Sequence, residues 1–240
     1  MRELWVADLG LRRYAEVLEI QRTAAAARIT GEIPQDLLIL CEHHPVLTLG
    51  RGARDPGHLI APPTLLAARR VEVFEIERGG DITFHGPGQL VGYPILDLSR
   101  HKRDLHWYLR QLEEVLIRSL RRLGIDAERR PALTGVWTAG RKIASIGVHA
   151  RQWVTWHGFA LNVATDLSWF DLIVPCGIPG VKMTSIENEL LRCADATCVA
   201  PPPTLAQNVQ RAVVEAAGDV FELSTVRIDE SALAVSAAAP

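Results

Sequence analysis

Strand-like and helix-like segments do not alternate regularly in this chain, and that order restricts its fold more than any other feature. Short apolar or alternating runs at 36–43, 45–50, 71–78 and 90–98 have the pattern of strands, and they precede the clearest helical pattern at 104–123. A regular βαβ alternation would instead predict a parallel sheet. We therefore predict an α+β fold with a mixed β-sheet packed by helices.

Helices are predicted where apolar residues recur three or four positions apart. The clearest pattern covers 104–123, where Asp104 can cap the first turn and Gly124 can end the last one. Weaker patterns at 9–31 and from 204 to about 217 predict two further helices.

The second half of the chain adds more strands and no sign of a second domain. Residues 135–163 predict three strands that turn near 139–140 and 151–152. The 240 residues contain no internal repeat and no break in composition, and this length suffices for one large core. We predict a single domain over residues 1–220 and a partly disordered C-terminal extension over 221–240.

Charge and composition exclude several classes of protein. The formal net charge of −2 gives no general attraction to nucleic acid. No apolar run is long enough to span a bilayer, and the charged N-terminal stretch does not resemble a secretory signal. Four cysteines are too few and too irregular for a disulfide scaffold. We expect a cytoplasmic protein that binds neither nucleic acid nor membranes.

The segment "RGGDITFHGPGQLVGYPI" (78–95) is unusually rich in glycine. It is either a long hairpin loop or a segment that lets a ligand approach the backbone, with Arg78 and His85 as polar contacts. Its glycine spacing does not match a dinucleotide-binding fingerprint, and the chain has no phosphate-loop motif.

The run "IVPCGIPGVKMTS" (173–185) places Cys176 between a proline and a glycine. Such a loop favours a reachable thiol, although many cysteines are only small buried side chains. No histidine lies nearby in sequence, so a nucleophile here needs a partner from elsewhere. Lys142 taken alone is expected to be an exposed lysine. Cys193 and Cys198 lack the further ligands of a zinc site, so we predict no metal.

Three blocks of this sequence, taken together, resemble a known family. They are "RGGDITFHGPGQLVGYP", "GRKIASIGVHARQWVTWHGFALNV" and "PCGIPGVKMTSIENEL". In order and spacing they are similar to the lipoyl/octanoyl transferases, the octanoyl-[acyl-carrier-protein]:protein N-octanoyltransferase type, which are related to the lipoate and biotin protein ligases. The resemblance covers about residues 35–190. It implies a mixed sheet packed by helices around an acyl-binding cleft.

The resemblance also implies roles for individual residues. Cys176 matches the acyl-thioester nucleophile of the family, and Lys142 matches the lysine that assists it. Tyr93, His149 and Asn162 are expected close by. The implied substrate-binding residues are Arg78, Gly79, Gly80, Asp81, Ile82, Thr83, Phe84, His85, Ser145, Ile146, Gly147, Gly158, Phe159 and Ala160. No cofactor is implied.

The implied reaction moves an octanoyl or lipoyl group from an acyl-carrier-protein thioester to a lysine of a lipoyl domain, as the first step of endogenous protein lipoylation. The implied acceptors are lipoyl domains of 2-oxoacid dehydrogenases and the glycine cleavage H protein. A monomer is expected, with 129–130 or 101–103 as basic candidates for docking the carrier.

Three alternatives to this reaction stay open. The first is an ATP-dependent lipoate-protein ligase of the same fold, and the second is a lipoyl amidotransferase. The third is a non-catalytic thiol sensor in which Cys193 is the resolving cysteine. The presence of Cys176 and the absence of a recognisable nucleotide loop argue against the ligase.

Overall fold

A large mixed β-sheet with helices on both faces dominates the computed structural model, which describes residues 2–193 and 204–233. The strands of these ranges are β1 (Glu3–Arg12), β2 (Asp36–His43), β3 (Val46–Leu49), β4 (Glu72–Glu75), β5 (Ile82–His85), β6 (Gln89–Ile95), β7 (Glu128–Arg130), β8 (Leu133–Thr138), β9 (Arg141–Arg151), β10 (Val154–Asn162) and β11 (Ser224–Arg227). The helices are α1 (Tyr14–Thr30), α2 (Pro63–Ala68), α3 (Leu105–Arg122), α4 (Ile186–Cys193) and α5 (Leu205–Phe221).

Eight strands form the large sheet in the order β11-β1-β2-β6-β10-β9-β8-β7. Strand β1 runs parallel to both of its neighbours, whereas the other pairs are antiparallel. A second sheet has the order β4-β3-β5. The predicted α+β fold with a mixed sheet is therefore confirmed.

Strand β2 shows how the large sheet is buried on both faces. Leu38 and Leu40 pack into the apolar cluster that contains the inner faces of α3 and α5. Leu37 and Ile39 point the other way, into the cluster that contains α1. Because side chains alternate along a strand, the continuous apolar run of β2 fits a central strand covered on both sides.

The predicted helices are reproduced with one correction. Helix α3 begins after Asp104, whose side chain accepts a hydrogen bond from the N–H of Trp107 at 3.0 Å. Residues 9–12 were expected to begin a helix, but they complete β1, which pairs with both β2 and β11. Strand pairing outweighs a weak helical pattern there, and the helix begins only at Tyr14.

Of the two interpretations of residues 78–95, the single long hairpin loop does not agree with the structure. Residues 82–85 form β5 in the small sheet, and residues 89–95 form β6 in the large sheet. Ile82 and Phe84 anchor β5 because their side chains pack with Leu47 in an apolar cluster. The short turn between β5 and β6 therefore joins the two sheets.

Residues beyond the predicted boundary at 220 take part in the fold. Helix α5 continues to Phe221, and β11 pairs with the start of β1. Leu233 is buried in the cluster that contains α1. Segment 221–233 is thus packed against the large sheet, unlike the extension expected from sequence; residues 234–240 lie outside the described residues. Among the described helices, none is long and apolar enough to cross a membrane.

Candidate active site

Cys176 lies in a sharp bend with an unusual backbone conformation. Its φ of 58° and ψ of 20° are left-handed, and Gly177 follows with a φ of 65°. A Cβ atom at position 177 would lie 2.6 Å from Oδ2 of Asp81, so a larger residue there would displace the Asp81 side chain. The Cys176 thiol is half-buried and lies 3.4 Å from Oγ of Ser145. Non-glycine residues in this region are uncommon and often functional.

Lys142 is fully buried at the start of β9, contrary to the exposed position expected from its sequence context. Its Nζ donates a hydrogen bond to the carbonyl of Thr134 at 3.0 Å and lies 4.4 Å from the centre of the Trp137 ring. Burial lowers the pKa of the Lys142 ammonium, and this shift is opposed by Cys176, through charge and a hydrogen bond, and by the charge of Glu113. An amine in this position releases a proton more readily than an exposed lysine.

A cavity of about 250 Å³ lies beside Cys176, between the large sheet and β5. Its floor includes a row of paired residues that crosses three strands, from Ser145 on β9 through Ala160 on β10 to Val91 on β6. Neighbouring strands are about 4.8 Å apart, so this row is roughly 10 Å long. Gly147 and Gly158 are paired next to it and add no side chains.

Most of the residues implied by the family resemblance line this cavity. They are Arg78, Gly80, Asp81, Thr83, His85, Ser145, Ile146, Gly147, Gly158, Phe159, Ala160 and Cys176. Ile82 and Phe84 do not, because alternate side chains of β5 face the apolar cluster on its other side. Gly79 instead donates its N–H to the carbonyl of Val148. Lys142 lies outside the lining, behind Thr134.

The three residues expected nearby differ in position. Tyr93 lines the cavity. His149 packs edge-on against Trp156, and Asn162 bonds to the side chain of Gln89. The last two support neighbouring structure and do not line the cavity.

Arg78 brings a buried positive charge to the cavity wall. Its guanidinium donates hydrogen bonds to the carbonyl and hydroxyl of Thr48 and to the carbonyl of Gly79. No carboxylate among the described residues forms an ion pair with it. Burial lowers the pKa of Arg78, and the charge of Cys176 is among the effects that oppose this shift. A Cβ atom at Gly147 would lie 2.9 Å from Cδ of Arg78, and this close approach explains the glycine there.

Two buried histidines near the cavity are neutral at pH 7. Burial lowers the pKa of His43 to about 4 and that of His85 to about 3. His43 is hydrogen-bonded to the Tyr93 hydroxyl at 2.7 Å, and His85 to Oε1 of Gln89 at 2.8 Å. They therefore contribute polar contacts and no charge.

Sequence reasoning missed several lining residues because their position at the cavity depends on how the elements pack. They are Tyr14, Val91, Ala132, Leu133, Thr134, His157 and Ile178. Tyr14, for example, is the first residue of α1 and reaches the site only because α1 packs across the sheet.

The architecture is that of the lipoate-protein ligases. A structure described as lipoate-protein ligase A bound with ATP aligns with a TM-score of 0.71 at 13% identity, covering 97% of this chain and 92% of that one. A putative lipoate protein ligase from T. acidophilum with bound lipoic acid aligns with a TM-score of 0.70 at 14% identity, with the same coverage. These two alignments establish the fold.

The family follows from sequence. The model of the lipoyl protein ligase A/B catalytic domain matches residues 13–207, and the chain belongs to this family. A curated octanoyltransferase of Rubrobacter xylanophilus is 55% identical over 184 residues, or 76% of this chain and 82% of the relative. One from a Nostoc species is 44% identical over 223 residues, or 90% and 91%.

Proposed function

We propose that this protein is an octanoyltransferase that carries the acyl group on Cys176. The activity is supported by curated octanoyltransferases at 44–55% identity over most of the chain. The observation that carries the mechanism is a half-buried thiol at an acyl-sized cavity, close to a buried amine.

The first half-reaction exchanges one thioester for another. The sulfur of Cys176 attacks the acyl carbonyl, the new C–S bond forms and the bond to the carrier thiol breaks. Cys176 attacks as a thiolate, a form that the positive charge of the Lys142 ammonium favours. The carrier sulfur leaves as a thiolate and then takes a proton from Lys142, which becomes neutral; water can also supply this proton. Because a thioester is made and a thioester is broken, the step needs no nucleotide.

The second half-reaction makes an amide. The amine of the acceptor lysine attacks the acyl group on Cys176, and neutral Lys142 takes the proton that this amine must lose. The C–S bond then breaks and Cys176 leaves as a thiolate. The burial of Lys142 favours its neutral form, as a general base requires.

The cavity suits an eight-carbon chain. The row from Ser145 to Val91 begins beside the thiol and runs for roughly 10 Å over small side chains. Burial of about six methylenes there contributes about 5 kcal/mol.

We further propose octanoyl-acyl-carrier protein as donor, and the lipoyl domains of 2-oxoacid dehydrogenases and the glycine cleavage H protein as acceptors. The basic segments suggested as docking candidates are largely engaged within the protein. Arg129 contacts Glu113 and Glu114, and His101 contacts Asp36. These contacts weaken both segments as candidates for the carrier surface.

The test is incubation with octanoyl-carrier protein without ATP, followed by intact-mass measurement. We expect an adduct of about 126 Da, transfer of this group to a lipoyl domain, and loss of both in Cys176→Ala. Cys41→Ala is the matched control, because Cys41 is buried and burial raises the pKa of its thiol well above the usual range. A strict ATP requirement would favour a ligase, and acyl uptake from a lipoyl-bearing protein alone would favour an amidotransferase.

A further inference from the structure

Glu113 is a carboxylate without solvent exposure, located on α3 behind the strand that carries Lys142. Its Oε2 accepts hydrogen bonds from Arg110 at 2.6 Å and from Arg129 at 3.2 Å. Its Oε1 accepts the backbone N–H of Gly135 at 3.2 Å. The two arginines stabilise its charge, so its remaining oxygen can hold a backbone group of β8.

Gly135 connects this carboxylate to Lys142. Its φ of 136° favours glycine, and a Cβ atom there would lie 2.7 Å from Nζ of Lys142. The residue before it, Thr134, supplies the carbonyl that accepts the hydrogen bond from Lys142. The pairing of β8 with β9 shifts register just beyond, between Val136 and Trp137. Glu113 therefore holds an irregular part of β8 against the amine.

The other charged groups around Lys142 do not replace Glu113. Arg141 on the same strand is paired with Glu189 of α4 at 2.7 Å. Lys182 contributes its carbonyl, which accepts the N–H of Lys142, and Arg130 lies over the Trp137 ring. The groups that oppose the effect of burial on the Lys142 pKa are Cys176 and Glu113. Glu113 is the carboxylate of this pair.

We propose that Glu113 is a positioning residue for Lys142. Its contact with Gly135 sets the Thr134 carbonyl against the amine, and its charge determines how readily the amine releases a proton. The consequence for catalysis rests on the proposed function. The effect of Glu113 on the titration of Lys142 can be measured without enzyme turnover.

The titration of Lys142 can be followed directly, because the chain contains only three lysines, Lys102, Lys142 and Lys182. Protein labelled with ¹³C at lysine Cε gives three NMR signals, and Lys102→Arg and Lys182→Arg assign the two exposed ones. We expect Glu113→Gln to move the titration of Lys142 to lower pH while Lys102 and Lys182 stay in place. Glutamine matches the shape of glutamate, so the charge is removed with little change in side-chain volume.

The matched control is Glu114→Gln. Glu114 is the neighbour of Glu113 in sequence and also binds Arg129, but it accepts no hydrogen bond from β8. We expect all three lysine titrations to be unchanged in this variant. Glu113→Asp makes the opposite change. The shorter side chain keeps the negative charge but moves it away from the Gly135 N–H.

Kinetics of the acyl transfer step provide the second readout. In Glu113→Gln the acid limb of the pH–rate profile should move in the same direction as the Lys142 signal. In Glu113→Asp the acid limb of the profile should stay at the same pH, while the rate falls about 10- to 100-fold because the Lys142 amine is misplaced. An unchanged Lys142 titration in folded Glu113→Gln would overturn the proposal. Failure of the wild-type protein to acylate Cys176 would refute the proposed function and leave the titration result standing.

Discussion

Two side chains with different sequence settings meet at the proposed reaction centre. Cys176 stands in a proline–glycine loop, and its left-handed backbone turns the thiol toward Ser145. Lys142 has no local signal, yet its burial lowers the pKa of its ammonium and the nearby Cys176 opposes this shift. The proposed chemistry requires this lysine both to carry a proton and to lose one.

Lys142→Arg separates these two requirements. A guanidinium retains the positive charge but does not release its proton near neutral pH. We expect acylation of Cys176 to persist in a single turnover, while transfer to the acceptor amine falls ~10²–10⁴-fold. Rapid quench with intact-mass detection measures both rates in one preparation.

Lys182→Arg is the control for this experiment, since Lys182 is exposed and should tolerate the change. Equal losses in the two half-reactions of Lys142→Arg would indicate that the larger side chain is misplaced in its buried site. Near-normal transfer would show that charge alone suffices.

Among the elements, β9, β10 and β6 together form the floor of the cavity, and no single strand contains it. Ser145, Ala160 and Val91 come from three strands, and pairing alone aligns them. An acyl chain attached to Cys176 would therefore lie across the strands, with Ala160 below its middle.

Ala160→Val tests this path. Two added methyl groups in the middle of the floor should obstruct an octanoyl chain more than a butanoyl chain, which ends before Ala160, and we expect the octanoyl-to-butanoyl ratio of kcat/KM to fall about tenfold. The butanoyl donor is the internal control for folding and for the chemical step. An unchanged ratio would place the chain elsewhere.

Local sequence signals predicted some elements and could not predict others. Helix α3 was found because its leucines recur at helical spacing between Asp104 and Gly124. Strand β5 was missed because glycines surround its four residues, and only burial of Ile82 and Phe84 makes it a strand. Lining residues such as Tyr14 depend on the packing of α1, which no local pattern specifies. The site was located through motifs, whereas its walls follow from tertiary structure.

At the scale of the whole molecule, burial of neutral histidines makes stability depend on pH. His43 and His85 have pKa values of about 4 and about 3 in the folded state, lowered by burial. In the unfolded chain a histidine binds its proton near pH 6.5. The unfolded state therefore binds more protons below this pH, and folding stability falls as the pH decreases.

We expect the free energy of unfolding to fall by about 1 kcal/mol per pH unit for each of these two histidines between pH 6 and 4.5. Urea denaturation across this range measures the slope. His43→Gln should remove about half of their combined contribution. A slope that is insensitive to His43→Gln would contradict this account.

The pairing of β11 with β1 also has a consequence for biosynthesis. Residue 3 pairs with residue 224, so this edge of the sheet cannot close until residue 224 has left the ribosome. The strands that carry the cavity lie between residues 82 and 162 and emerge earlier. Contacts between distant residues form slowly because a long loop must close first. The nascent chain can thus assemble its acyl site while the far edge of the sheet is still open.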